Sequence, residues 1–233
     1  MDLSELSAVG PFFALRTGDM PDTAGYLPLD GTAVGDRVRT VGERLGTADR
    51  RVAASVAFQG IAGRLLSIAL GAAVLTGQVP DLTDERLRWH TGRTAPEDLW
   101  LARPAALPAD RIAPGLLYGR LSSLHTATRA VTPLFGRLLW GNAASSLAGA
   151  ARMLRAWCLE QGRPREAERT AELTRALFAD PLLRGTGTLR TRPDVSFARR
   201  SCCLYYRVPA GGLCGDCVLR HPPRGRRAGS GGH

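Results

Sequence analysis

Between Val52 and Val79 the chain is apolar at most positions, and Gln59 and Arg64 are the chief interruptions. A helix that is hydrophobic on most faces has no side to offer to water, so it belongs at the centre of a core or in a membrane. The part free of charged and amide side chains, Leu65 to Gly77, has 13 residues, whereas a membrane span needs about 20. The expectation is a buried core helix from about Arg50 to Leu75, with Thr47 or Asp49 as its cap and Pro80 beyond its end.

The elements that cover this helix also read as helical. Val34, Val38, Val41 and Leu45 recur at helical spacing. Regular helix resumes near Leu116, with Leu117, Leu121, Leu124 and Thr128 on one side. Thr132 is placed to cap the longest helix, with Pro133 at its first position and an end near Glu160. Phe135, Leu139, Asn142, Ser146 and Gly149 share one face of it, which puts Asn142 on or near a buried side. A buried amide must be hydrogen-bonded. Asn142 either satisfies a neighbouring loop or, with Trp140, forms a pocket or supports the cysteine-rich end of the chain. A further helix is expected from Pro164 to Phe178, ended by Asp180-Pro181. The stretch from Pro80 to Pro114 is less regular: LRWHTG reads as a short strand and turn, PEDLWLA as a helical turn. The expected fold class is mainly α, a helical body with a short C-terminal cysteine-rich loop segment. The expected division is a body over 1–195, a metal-binding segment over 196–220 and a flexible basic tail over 221–233.

Four of the five cysteines, Cys202, Cys203, Cys214 and Cys217, fall in RRSCCLYYRVPAGGLCGDC with the spacing C-C-x10-C-x2-C. Three readings compete. Four thiolates are what a [2Fe–2S] cluster needs, two per iron. They can also hold one structural zinc, although zinc sites usually present two C-x2-4-C knuckles, and adjacent side chains such as Cys202 and Cys203 diverge on an extended backbone. Two disulfides are the third reading, which needs an oxidising compartment. The N-terminus, MDLSELSAVGPFF, has acids and no basic n-region, so it is not read as a signal peptide and the chain is expected to be cytoplasmic. Cys158 stands apart: Leu147, Ala150, Ala151, Leu154 and Cys158 form one apolar helical stripe, and a free cysteine there behaves as a small hydrophobe.

The surroundings suit a cluster loop. Gly211, Gly212 and Gly215 let the backbone wrap closely, and Pro209 stiffens the stretch between the cysteine pairs. Leu204, Tyr205, Tyr206 and Leu213 can shield a cluster from water. Arg199, Arg200, Arg207 and Arg220 surround it with positive charge, which favours an electron-rich reduced state and can dock an anionic partner; the other reading is a solvated basic face.

The vicinal pair followed by C-x2-C near the C-terminus resembles the FhuF-type ferric-siderophore reductases. The string W-G-N-x-x-S, here from Trp140 to Ser145, is also similar to sequence found in that family. The resemblance implies a [2Fe–2S] cluster on Cys202, Cys203, Cys214 and Cys217. It implies one-electron reduction of an imported ferric siderophore in the cytoplasm, with a ferredoxin-like or flavoprotein donor. No catalytic residue beyond the cluster is implied.

Net charge is +10, which ordinarily raises nucleic acid as a partner. All 31 basic residues are arginine, so the count reflects codon usage in part, and no DNA-reading motif gathers the charge. Nucleic acid is not an expected partner. The charge rises in RHPPRGRRAGSGGH, a tail whose composition suits peripheral contact with membrane lipids or simple solvation. His90 and His125 are isolated and His221 follows the cysteines; no hydrolase arrangement is present. Two alternatives to the reductase remain at the level of sequence. One is a four-cysteine zinc module contacting nucleic acid or protein. The other is an iron–sulfur redox sensor or electron carrier without a siderophore substrate.

Overall fold

The apolar stretch folds as a single long helix, and other helices surround it. The computed structural model describes residues 1–20, 24–208, 211–219 and 221. The order is α1 Leu6–Val9, β1 Tyr26–Pro28, α2 Gly31–Arg44, α3 Arg50–Leu75, β2 Gln78–Pro80, β3 Arg88–His90, β4 Leu99–Trp100 and β5 Ala106–Pro108. A 3-10 turn, Ala109–Arg111, and a π-helix, Ile112–Leu121, then lead into α4 Ser122–Val131. The chain ends with α5 Gly136–Glu160, α6 Pro164–Ala179, β6 Gly187–Arg190, β7 Ser196–Arg199 and a 3-10 turn at Tyr205–Arg207. The fold is mainly α, as the sequence implies. Its strands are short antiparallel pieces, β1-β3-β4, β2-β5 and the hairpin β6-β7.

α3 packs against α2 and α5, and α5 against α6. By length and apolarity α3 alone among the described helices passes for a membrane span, but 83% of its most apolar window is buried inside the protein. Asp49 caps α3 by accepting from the Arg51 N–H at 3.0 Å, while Thr47 accepts from the Asp49 N–H. Arg64, the charge that breaks the apolar run, is only 2% exposed. Its Nε donates to Asp98 at 2.8 Å, and its remaining nitrogens donate to the carbonyls of Pro11, Phe12 and Ala14. An interior guanidinium is stable only with that degree of satisfaction. Here it ties the N-terminal segment and the β-strand region to the central helix.

Two expectations are corrected. α5 starts at Gly136, not at Thr132, and no side chain caps it. The residue before a proline is pushed out of the α region, and Thr132 accordingly has φ −150° and ψ 125°. Pro133 therefore ends α4 instead of starting α5. The PEDLWLA stretch is not a helical turn but supplies β4, whose Leu99 and Trp100 pair with Trp89 and Arg88; burial of both residues on the sheet outweighs local helix preference. The stretch near Leu116 winds as a π-helix before becoming α-helical at Ser122. His90 and His125 make ring contacts with Tyr26 and Trp140 respectively.

Candidate metal centre

The β6-β7 hairpin delivers the chain at Arg199 to the side of α5, and the cysteines follow in a loop. Leu204 sits at φ 69°, a left-handed conformation that costs a non-glycine residue of order 1 kcal/mol or more. It lies directly after the vicinal cysteines, and its N–H donates to the Cys202 sulfur at 3.3 Å. The C-x2-C stretch closes as a turn, with the Cys217 N–H donating to the Cys214 carbonyl at 3.0 Å. The Leu219 N–H donates to the Cys217 sulfur at 3.4 Å. The two outer cysteines thus each receive an N–H from the residue two places on. The two inner thiols interact with each other, which pulls Cys203 down to about 6 and pushes Cys214 up. Cys203 is buried, and the other three are part-exposed.

A polar network fixes this loop to the helical body. Ser55 of α3 donates to the Cys203 carbonyl at 2.7 Å. Asn142 of α5 donates to the Ser55 carbonyl at 2.8 Å and to its hydroxyl at 2.9 Å, and its own carbonyl oxygen accepts from Arg199. The Arg199 N–H donates to the Asp216 carbonyl at 3.0 Å. The Asp216 carboxylate accepts from Ser145 at 2.5 Å and from Arg152 at 3.0 Å. Asn142 therefore supports the cysteine segment, the sharper of its two readings. Trp140 instead stacks on His125 at 5.3 Å and lines a second cavity with Arg200 and Ser201. Gly141 matters because any Cβ there would collide with Ser201, the residue before the vicinal pair.

The expected basic rim divides into different roles. Arg199 is buried, Arg207 pairs with Asp49 at 2.9 Å, and Arg200 is exposed. Of the three loop glycines, Gly211 alone is demanded by close approach, to the Tyr205 carbonyl and Val208; Gly212 and Gly215 face open space. Leu204 packs against the core, and Tyr205 lines a cavity. Tyr206 and Leu213 are half-buried, and His221 is exposed. Pro209, Arg220 and the tail from residue 222 lie outside the described residues. Cys158 is fully buried and burial pushes its thiol up to about 11, which fits a core residue.

Ser55 and Asp216 carry this network without having been singled out in the sequence, whereas Ser145 closes the W-G-N-x-x-S string. Ser55 is a hydroxyl inside an otherwise apolar helix, and Asp216 is an acid between two cysteines that would repel it if all were charged. Both were readable as residues needing a partner.

A cavity of about 580 Å³ opens beside the loop, between α3 and α5. Cys203, Tyr205, Cys214 and Asp216 line it together with Phe12 and Met153. The glycines Gly60, Gly63 and Gly149 leave the room for it, and a Cβ on Gly60 would meet nothing. Its size is in the range of small-molecule sites.

Among the described residues no three His, Cys, Asp or Glu side chains converge on one ion position. The thiols form an inner pair with two outer members. That donor set fits a dinuclear centre, which spreads four thiolates over two metal ions, and the N–H groups aimed at two sulfurs are the usual companions of such ligands.

Residues 199–219 match the family model described as the FhuF 2Fe-2S C-terminal domain. The match runs from Arg199 through all four cysteines of the loop. No curated protein matches the chain. This segment is similar to that C-terminal domain, and the cofactor the match points to is a [2Fe–2S] cluster.

Proposed function

We propose that the chain is a cytoplasmic ferric-siderophore reductase, with Cys202, Cys203, Cys214 and Cys217 holding the cluster and the adjoining cavity receiving the ferric chelate. The observation that carries this reading is the cavity wall itself, which contains Cys203 and Cys214. A [2Fe–2S] cluster on these thiolates supplies one electron at a time. Siderophores grip iron(III) with hard oxygen donors, and iron(II), less charged and softer, binds the same donors far more weakly. A single electron therefore converts a tight complex into a labile one without any bond-making residue.

The chain's own residues act by placement. Phe12 is held at its carbonyl by Arg64 and, with Phe13, gives the cavity an apolar lining. Arg152 and Asp216, its charged lining, neutralise each other at 3.0 Å. Ser55 and Asn142 keep Cys203 at the wall. A ferredoxin-like or flavoprotein donor is the partner that this reading requires.

Anaerobic purification with iron and acid-labile sulfide analysis comes first. Two irons and two sulfides with a reduced-state EPR signal are expected, whereas zinc alone in a folded protein would move the assignment to a zinc module. Gly60→Leu then tests the cavity. The variant is expected to keep iron, sulfide and the EPR signal, yet to be oxidised by ferric siderophore at least about tenfold more slowly, a barrier increase near 1.4 kcal/mol. Wild-type rates in a loaded Gly60→Leu protein would remove the cavity from the mechanism.

A further inference from the structure

Arg199, the last residue of β7, is 3% exposed. Its guanidinium is gripped from two directions. Nε donates to the Ser201 carbonyl at 2.9 Å. Nη2 donates to the Leu138 carbonyl at 3.5 Å and to the side-chain oxygen of Asn142. None of these acceptors carries a charge. Asp216 offers Arg199 only its backbone carbonyl, because its carboxylate is taken by Ser145 and Arg152. Nη1 is buried and has no hydrogen-bond partner among the described residues.

A buried cation without a counter-ion, keeping an idle donor, is costly to maintain. A fold that clamps one in place is holding its charge for something else. The loop thiols lie beside that charge: the guanidinium holds the carbonyl of Ser201, the residue before Cys202, and the Arg199 N–H holds the carbonyl of Asp216, the residue before Cys217.

We infer that Arg199 is a positioning residue that serves as the built-in counter-charge of the cysteine centre: clamped by Asn142 and Ser201, it donates its free Nη1–H to sulfur of the bound cluster and stabilises the form that carries the extra electron. Uptake of one electron makes the centre more negative by one charge. A fixed positive charge in a low-dielectric setting therefore favours the reduced state over the oxidised one, and hydrogen bonds to sulfur act in the same sense. Arginine suits the task because it stays charged at any working pH and because its planar fork lets Nε and Nη2 be held while Nη1 points elsewhere. Gly141 completes the arrangement, since a Cβ there would crowd Nη2 at 3.3 Å. The inference rests on the four cysteines holding the cluster, and it is independent of what the reduced centre goes on to reduce.

The test is a potentiometric titration of the iron-loaded wild type, Arg199→Lys and Arg199→Gln, followed by visible absorbance and reduced-state EPR. Arg199→Gln is expected to lower the equilibrium constant for reduction at least about tenfold, or about 59 mV for a one-electron couple. Arg199→Lys keeps the charge and is expected to shift less. An unchanged midpoint in a fully loaded Arg199→Gln protein overturns the inference. A second measurement needs no variant to fold: wild-type protein grown on arginine with guanidino-15N label should show 15N hyperfine coupling in the reduced EPR spectrum, and its absence overturns the hydrogen bond to sulfur. A wild type that carries no iron overturns this inference and the cysteine assignment together. A midpoint shift as expected in a protein that reduces no ferric siderophore supports the role of Arg199 and overturns the reductase reading alone.

Discussion

Arg64 and Arg199 both lie in the interior, at 2% and 3% exposure, and are satisfied in opposite ways. Arg64 faces Asp98 and three backbone carbonyls, with every nitrogen engaged. Among the described residues Arg199 has neutral acceptors only and one nitrogen without a partner. The first is complete within the body of the protein and joins the N-terminal segment to the central helix. The second is incomplete until the thiols beside it are occupied. A buried charge needs compensation in either case; the difference lies in whether the fold or the cofactor supplies it. One interior can thus hold a charge for architecture and another for chemistry.

The largest break in this comparison is expected from Arg64→Met, which removes the hydrogen-bonded ion-pair partner of buried Asp98. It should cost about 3–5 kcal/mol, read from urea unfolding of the loaded protein. A loss below about 1 kcal/mol would show that the Arg64 site relaxes or admits water. Asn142→Ala comes next. It strips Ser55 of a donor and Arg199 of an acceptor in one step, and should cost about 1–3 kcal/mol and hasten iron release to a chelator. Iron retained at the wild-type rate would mean that Ser55 and Ser201 suffice to hold the loop.

Gly141→Ala sharpens the comparison by crowding Arg199 and Ser201 from the α5 side. Overpacking of this sort costs about 1–3 kcal/mol, and the low end is expected because Ser201 can turn aside; the check is unfolding together with the midpoint potential. The smallest effect concerns Cys158. Buried and pushed up to about 11, its thiol should stay unalkylated at pH 8 in cluster-free, reduced, folded protein while the loop cysteines react, as counted by mass spectrometry. Because the folded state holds that proton more tightly than the unfolded chain, its contribution to stability is present at neutral pH. That contribution fades as pH rises from the ordinary thiol range to about 11. Fast labelling of Cys158 at pH 8 would contradict its place in the core.

The amino-acid sequence by itself determined the local features of this protein. The all-apolar stretch required a covered helix, Asp49 was a competent cap for it, the spacing of Cys202, Cys203, Cys214 and Cys217 marked a thiol site open to iron–sulfur, zinc or disulfides, and the stripe ending at Cys158 belonged to the core. Each of these follows from periodicity or spacing within a short window. The misreadings arose where a local signal met a competing one. Thr132-Pro133 carries the signature of a helix start as well as that of a helix stop, and neighbouring helices decided between them. PEDLW suits a turn until β3 offers it a partner strand.

Only the tertiary structure decided how the cysteine loop is held and where the cavity beside it lies. Ser55 meets Cys203 across 148 residues and Asn142 across 87 from Ser55, and no periodicity encodes such a pairing. Which buried polar groups find one another depends on how α3, α5 and the β6-β7 hairpin pack. That packing left Arg64 fully partnered, Arg199 with a donor to spare, and glycine-lined space beside two of the four thiols.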